Sequence, residues 1–315
     1  MISIVIPLFN EEENVEYLYK RLTDSSPLWK EDYEIIFVDD GSCDNTFLLL
    51  HELCKKDKHL RIVKLSRNFG HQAAISAGIK HAKGDATIIM DGDLQDPPEV
   101  LPKFLDKWRE GYNVVYAIRI KRKEGYLKKI AYKSFYRLLR IISDITIPLD
   151  SGDFCLMDKK VVKVLNTEMI EHSRFIRGLR AYAGFKQTGI ESERAIRAAG
   201  EVKYTLKKLI NLAVNGLLDF STFPLKIATY FGFAIAIPSF IIGMFFIIHR
   251  IFNFKFLGYS PSDTPGLATL AVGVFFLGGI IMVILGVIGE YIGRIYFEVK
   301  HRPFYIIDEI YDHEN

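Results

Sequence analysis

The sequence predicts an α/β fold in which a mostly parallel sheet, with helices on both faces, is followed by an amphipathic juxtamembrane segment and two transmembrane helices. Three observations carry that prediction. Short apolar runs alternate with stretches of helical periodicity over residues 1–120, the pattern of successive βαβ units. Three of those runs stop at acidic turns. Two long stretches near the C-terminal end contain no charged residue at all.

The first run, residues 2–6, ends at Pro7, and residues 11–21 follow with helical spacing. Residues 34–39 form a second apolar run closed by Asp40-Gly41-Ser42, after which 46–54 reads as helix. Residues 61–66 alternate like a strand, 70–81 like a helix, and 86–90 like a strand again. Pro97-Pro98 opens a helix to Trp108, since proline is tolerated in a first turn, and 114–119 is a further strand. Helical crossovers between strands make a parallel sheet, and in such sheets ligands bind beyond the carboxyl ends of the strands. The turns that matter are therefore Pro7 to Glu11, Asp39-Asp40-Gly41 and Asp91-Gly92-Asp93.

Composition narrows the function classes. With 315 residues, 49% hydrophobic and 13% aromatic, the chain can bury a core and is not disordered. Its 41 basic and 38 acidic residues leave a charge of +3, which argues against a protein that coats nucleic acid. Cys43, Cys54 and Cys155 form no CxxC pair, so neither a disulfide framework nor a structural zinc site is encoded, and a reducing compartment fits. No P-loop motif occurs, and no GxGxxG follows the first strand.

The positive mean hydropathy, +0.12, has its source near the C-terminal end. Residues 227–248 and 266–289 are uncharged, and each is roughly 30 Å or slightly more as a helix, the depth of a bilayer core. Pro238 and glycines such as Gly243 and Gly273 are poor in soluble helices but tolerated in lipid. The connecting loop carries Arg250 and Lys255, whereas the outer flanks carry Lys203, Lys207, Lys208, Lys226, Arg294, Lys300 and Arg302. By the positive-inside rule both ends face the cytoplasm, and the start of the chain lacks the pattern of a signal peptide. The expectation is an integral inner-membrane protein with a cytoplasmic soluble domain. Between the two, Leu206, Leu209, Ile210, Ala213 and Leu217 line one helical face opposite Lys207, Lys208, Asn211 and Asn215. Such a helix suits the headgroup layer or packing on the soluble domain, and its place beside a span favours the membrane surface. The expected divisions are a soluble domain at 1–203, the amphipathic segment at 204–225, the membrane region at 226–292 and a cytosolic tail at 293–315.

At the strand ends, carboxylates stand where nucleotide-binding folds often have glycines. An acidic edge accepts a diphosphate only through a bridging cation. Asp91 and Asp93, two residues apart, share a face if the chain stays extended, and Gln95 adds a third oxygen. Such hard donors select Mg2+ or Mn2+. Gly92 permits close backbone approach, though a DGD segment can also simply turn the chain before the Pro97 helix. At Asp39-Asp40 a carboxylate can accept from a base N–H, while Ser42 or Asp44 suits a helix cap. Glu11 reads equally as a first-turn acid favoured by the helix dipole.

Taken together, VIPLFNEEENV, VDDGSCDNT, LSRNFGHQAAISAG, MDGDLQDPPE, DSGDFCLMD, RFIRGLRAYAGF, ERAIRAAGEVKY and the paired spans run in an order that resembles the family 2 glycosyltransferases of the GT-A fold. The likeness is to the polyprenyl-phosphate glycosyltransferases related to dolichyl-phosphate mannose synthase, and most of all to bacterial membrane-anchored glucosyltransferases. The resemblance implies that Pro7, Phe9, Glu11 and Asp40 line a nucleotide pocket together with Asp91, Gly92 and Asp93. It implies that Asp91, Asp93 and Gln95 hold the metal. Arg119, Arg197 and Lys203 are implied as contacts to the diphosphate or the acceptor phosphate, and Asp150 and Asp153 as the acidic segment facing the acceptor. Asp150 and Asp153 read without the resemblance as a loop turn that caps a helix before Lys159. Two departures, Cys155 where the family commonly has Arg and Val202 where it has Ser, bear on acceptor contact.

The implied reaction is attack by a polyprenyl-phosphate oxygen on the anomeric carbon of a nucleotide sugar, with inversion, glucose from UDP-glucose being the expected donor. A phosphate monoester, with a second pKa of about 6, is already largely ionised at neutral pH, so a strong base is less needed than alignment and charge stabilisation. Asp93, Asp153, Arg197 and Lys203 are the residues expected to carry catalysis. GDP-mannose as donor and a non-catalytic nucleotide-sugar sensor are the alternatives, whereas a processive synthase would need a QxxRW signature, and the tryptophans are only Trp29 and Trp108. Small residues such as Gly273 and Gly278 permit helix association and a homo-oligomer.

Overall fold

The first strand, β1 (Ile2–Leu8), is buried along its whole length, as a central strand covered on both faces must be. Around it stand β2 (Tyr33–Asp39), β3 (Leu60–Leu65) and β4 (Ala86–Ile89). Farther along the chain come β5 (Val114–Ile120), β6 (Ser151–Asp158), β7 (Gln187–Glu193) and β8 (Ile307–Asp312). This computed structural model describes residues 1–120, 151–171, 174–193, 223–252 and 266–313. The strands make one eight-stranded sheet in the order β7-β5-β6-β4-β1-β2-β3-β8.

Alternation of side chains along β1 sorts the core into two layers. Ile2, Ile4, Ile6 and Leu8 pack with Leu18 and Leu22 of α1 (Val15–Ser25), Leu50 of α2 (Thr46–Cys54) and Leu101, Phe104 and Leu105 of α4 (Leu101–Arg109). Val5 packs the other way, with Val38, Val63 and Ala74 and Ala77 of α3 (His71–His81). Small alanines let α3 lie close, and Gly78 is closer still: a Cβ there would meet Val5 Cγ1 at 2.2 Å. Two further helices, α5 (Lys159–Thr167) and α6 (Ile176–Tyr182), follow β6.

The four strands β4-β1-β2-β3 are mutually parallel, as the helical crossovers between them require. The rest of the sheet mixes directions, leaving four of the seven strand pairings parallel. β6 runs antiparallel to both β4 and β5, and β8 antiparallel to β3, while β5 and β7 are parallel. Residues 151–158, read from sequence as a loop turn, form β6, and Asp158 rather than Asp150 or Asp153 caps α5 by accepting the Lys160 amide at 2.9 Å. Helix α1 begins at Val15, not at residue 11, because the loop before it is tied to the β2–α2 turn.

The expected tail also differs. β8 completes the sheet edge, with Tyr311 against the Phe47 ring at 5.5 Å and Lys64 paired to Asp308 at 2.8 Å. The chain accordingly divides into one unit of Met1–Asp219 with Arg302–Asn315 and another of Phe220–His301. In the second unit α7 (Phe223–Phe252) and α8 (Gly266–Val299) contain the two uncharged stretches. Among the described residues, Phe276–Val299 is the stretch long and apolar enough to cross a membrane, with none of it buried. Arg197, Lys203, Asp150, the amphipathic segment at 204–220 and Lys255 lie outside the described residues.

Deleting residues 302–315 uncovers β3 and the packing around Tyr311, a loss of about 2 kcal/mol. Thermal unfolding of the deletion protein should fall by roughly 4–8 °C, with increased aggregation; an unchanged midpoint would show that β8 adds nothing to the sheet.

Candidate active site

Two loops at the carboxyl ends of β1 and β2 clasp each other. The strands are in register from Ile2↔Tyr33 to Leu8↔Asp39, so both stop at one level. Beyond them the Asn10 amide donates to Ser42 Oγ at 3.0 Å and the Cys43 amide donates back to Asn10 Oδ1 at 2.9 Å. The Glu11 amide donates to Thr46 Oγ1, and Glu12 Oε2 accepts from both the amide and the side chain of Asn45. Asn10 takes a left-handed φ of 52° to make this turn, a conformation asparagine tolerates better than most residues. Ser42 is thus a bridge between loops, and Asp44, accepting from the Thr46 amide, supports the start of α2. Glu11 lies before α1, so its carboxylate is not a first-turn acid; it accepts from Asn14 Nδ2 at 2.6 Å. Pro7 is buried, and Phe9 beside these loops is exposed.

Asp40 turns out to hold a loop. It is 3% exposed, and its two oxygens accept the amides of Phe69 and Gly70 at 2.7 and 2.9 Å. Desolvation pushes its carboxyl upward against those two bonds, which lower it. The loop it holds passes so near Gly41, at φ +66°, that a Cβ there would meet the Arg67 backbone at 2.4 Å. Asp39 is fully buried and raised by desolvation; Oδ1 accepts from the Ser42 amide, while Oδ2 has no hydrogen-bond partner among the described residues. The unsatisfied acceptor at this strand end therefore belongs to Asp39, the residue before the one singled out from sequence.

The third turn follows β4, which ends level with Val5, so that Asp91-Gly92-Asp93 folds over the end of β1. A Cβ on Gly92 would meet Leu8 Cδ2 at 2.2 Å, which is why the close approach needs glycine. From here burial alternates: Gly92, Leu94 and Asp96 are buried, and Asp91, Asp93 and Gln95 are half-buried. Asp91, Asp93 and Gln95, expected to share a face if the chain stays extended, are instead half-buried positions of a turn in which Leu94 takes a φ of 60°. Asp93 Oδ1 also accepts the Gln95 amide at 3.2 Å, which tightens the turn. Two carboxylates and a carboxamide are the donors a hard divalent cation takes, with positions left for other oxygens. Among the described residues no group of three or more His, Cys, Asp or Glu side chains is gathered for a metal.

Asp153 belongs to the same edge because β6 is antiparallel to β4. Ile89 pairs with Cys155, so the chain beyond β4 and the start of β6 meet at that edge. His71 Nε2, from the first turn of α3, lies 3.5 Å from Asp91 Oδ1 and 3.6 Å from Asp153 Oδ2. Arg177 Nη2 is 3.2 Å from Asp153 Oδ1, and Gln72 Nε2 donates to Oδ2 at 3.3 Å. Desolvation by itself raises Asp153, but Arg177, His71 and Arg180 hold it well below the usual carboxylate range. Desolvation likewise opposes charge on His71, yet Asp153 and Asp91 raise it to about 9. His71, Gln72 and Arg177 were not singled out from sequence, although they lie in GHQAAISAG and RFIRGLRAYAGF. Arg119 sits near the end of β5 by its backbone; the structure does not bring Arg197 or Lys203 into view, both being outside the described residues.

Residues 3–165 match the pattern described as glycosyl transferase family 2. The chain belongs to that family. A relative named as an uncharacterized glycosyltransferase, YkcC of Bacillus subtilis, is 45% identical over 99% of this chain and 95% of its own length. The prophage bactoprenol glucosyl transferase homolog of Escherichia coli K12 is 42% identical over 98% of this chain and 99% of its own. The bactoprenol glucosyl transferase of Shigella phage SfV is 42% identical over 97% of each. Among solved structures, glucosyl-3-phosphoglycerate synthase of Mycobacterium tuberculosis is similar with a TM-score of 0.47 at 20% identity, covering 70% of this chain and 79% of that one. In this glycosyltransferase the acidic turns follow β1, β2 and β4 of a mixed sheet.

If Asp40 serves the loop, Asp40→Asn turns an acceptor into a donor facing a buried amide and destabilises this glycosyltransferase by about 1–3 kcal/mol. Denaturant unfolding checks it, since loss of nucleotide affinity at unchanged stability would instead give Asp40 the base-binding role.

Proposed function

We propose that the protein transfers a hexose, glucose from UDP-glucose, to polyprenyl phosphate at the cytoplasmic face of the membrane, with inversion. The observation that carries this reading is the 42% identity, over nearly the full chain, to proteins named bactoprenol glucosyl transferases. The uncharged stretches in α7 and α8 support it, since a polyprenyl chain stays in the bilayer and its phosphate reaches just above the headgroups.

In this reading an acceptor phosphate oxygen forms a bond to the anomeric carbon while the bond to the nucleoside diphosphate breaks, and the electron pair leaves with the diphosphate. The acceptor brings its own negative charge, so the chain's work is alignment and electrostatic stabilisation. The clasped loops with Pro7, Phe9 and Glu11 receive the nucleoside, and Asp39 offers its spare acceptor to the base. Asp91, Asp93 and Gln95 would hold a divalent cation, Mg2+ or Mn2+, which when bound neutralises the diphosphate. Asp153 stays ionised beside Arg177, so it acts as an acceptor that orients hydroxyls of the sugar. Arg119, Arg197 and Lys203 are assigned to the phosphates.

Detergent-solubilised full-length protein, given polyprenyl phosphate and a panel of labelled nucleotide sugars, should move label from UDP-glucose into the lipid phase, and excess EDTA should stop it. Label arriving from GDP-mannose instead would overturn the sugar assignment, and none from any donor would favour a sensor. Asp93→Asn should lower transfer by roughly 100-fold or more with little change in stability, because the side chain is half-exposed at a turn. Wild-type turnover in that variant would remove Asp93 from the cation site.

A further inference from the structure

The carboxamide of Gln72 joins three elements that the chemistry needs in one arrangement. Its Nε2 donates to Asp153 Oδ2 at 3.3 Å, and its Oε1 accepts the backbone amide of Ile176 at 3.0 Å. Ile176 is the first residue of α6, and Arg177, the next, bonds the other oxygen of Asp153 through Nε and Nη2 at 3.4 and 3.2 Å. The orientation of the amide is fixed by chemistry. A backbone N–H can only donate, so the oxygen of Gln72 must face Ile176 and its NH2 must face the carboxylate.

We propose that Gln72 is a positioning residue for sugar transfer: it locks the orientation of Asp153 by bridging that carboxylate to the start of α6. The proposal rests on the reading above that Asp153 orients the reacting sugar. A carboxylate accepts about four hydrogen bonds. With Gln72 and His71 at Oδ2 and Arg177 at Oδ1, Asp153 is held from two sides. The base of Gln72 is itself set, since the Ser76 hydroxyl donates to the Gln72 carbonyl at 2.8 Å and Asp40 holds the two amides that precede α3. Arg177 and His71 supply charge to Asp153. Gln72 supplies direction, because among these three partners it alone also bonds the α6 backbone through its side chain in the contacts described. Misplacing a reacting group by as little as 1 Å can cost roughly 100-fold in rate.

The test uses the full-length protein in detergent and the lipid-transfer assay, with UDP binding and thermal unfolding measured alongside. Gln72→Glu keeps the acceptor for Ile176 but replaces the donor facing Asp153 with a like charge. It should lower kcat by roughly 30- to 100-fold with KM for the nucleotide sugar within about 3-fold. UDP affinity should stay near wild type, while the half-buried like charge lowers the unfolding temperature without unfolding the protein at assay temperature. Gln72→Ala, which removes both bonds without adding charge, should show the same kcat-over-KM split with a loss of about 10-fold. In an Asp153→Asn background, Gln72→Glu should cost little more, because the two residues act as one unit. A Gln72→Glu protein with unchanged kcat, beside an Asp153→Asn protein that is slow, overturns the positioning role alone. An Asp153→Asn protein at full rate overturns the reading of Asp153 and this proposal with it. Loss confined to stability or to UDP binding in both Gln72 variants marks a structural contact and also overturns it.

Discussion

A pair of hydrogen bonds from the Phe69 and Gly70 amides to the buried carboxylate of Asp40 is the joint on which the acidic edge depends. Burying a carboxylate is costly unless it is paired or multiply bonded, and two charge-assisted amide bonds offset that cost here. What they secure is the entry of α3. Gly70, at φ 100°, turns the chain so that His71 and Gln72 project from the first helical turn. Those two side chains then meet Asp153, which comes from a strand far along the sequence. One strand end thus determines the surroundings of another through a helix start.

The edge gathers Asp39, Asp40, Asp91, Asp93 and Asp153, and each is handled differently. Asp39 and Asp40 are buried and have their acidity weakened by desolvation. Asp153 is driven the other way by Arg177 and His71 despite desolvation. Asp91 and Asp93 are half-buried at their turn, Asp91 with 20% of its side chain exposed beside His71. Carboxylates of one chemical type thus differ in acidity and exposure through environment alone. His71, bridging Asp91 and Asp153, keeps two acids on neighbouring strands from repelling each other unshielded.

The central sheet was legible because its strands are apolar runs separated by helical periodicity, and 46–54 coincides with α2. β6 was not, because DSGDFCLMD mixes turn-forming and apolar residues and reads as a loop until its pairing with β4 and β5 is seen. β7 and β8 are half-polar edge strands whose pairing, not their composition, makes them strands. At the site, the DGD turn was legible in residue identity, whereas the extended chain assumed for Asp91, Asp93 and Gln95 is broken by Leu94 at φ 60°. Asp40 as a loop anchor did not, since its partners are backbone amides, which leave no trace in residue identity. Gln72 and Arg177 escaped for a related reason: their meaning comes from Asp153, brought near by an antiparallel neighbour that local pattern does not encode.

The return of the last residues to the sheet sets a rule for whatever lies between. Because β8 hydrogen-bonds β3, the ends of the segment Phe220–His301 emerge from, and re-enter, a single folded body. Loosening β8 would accordingly free the chain that follows α8 from the sheet edge it now closes.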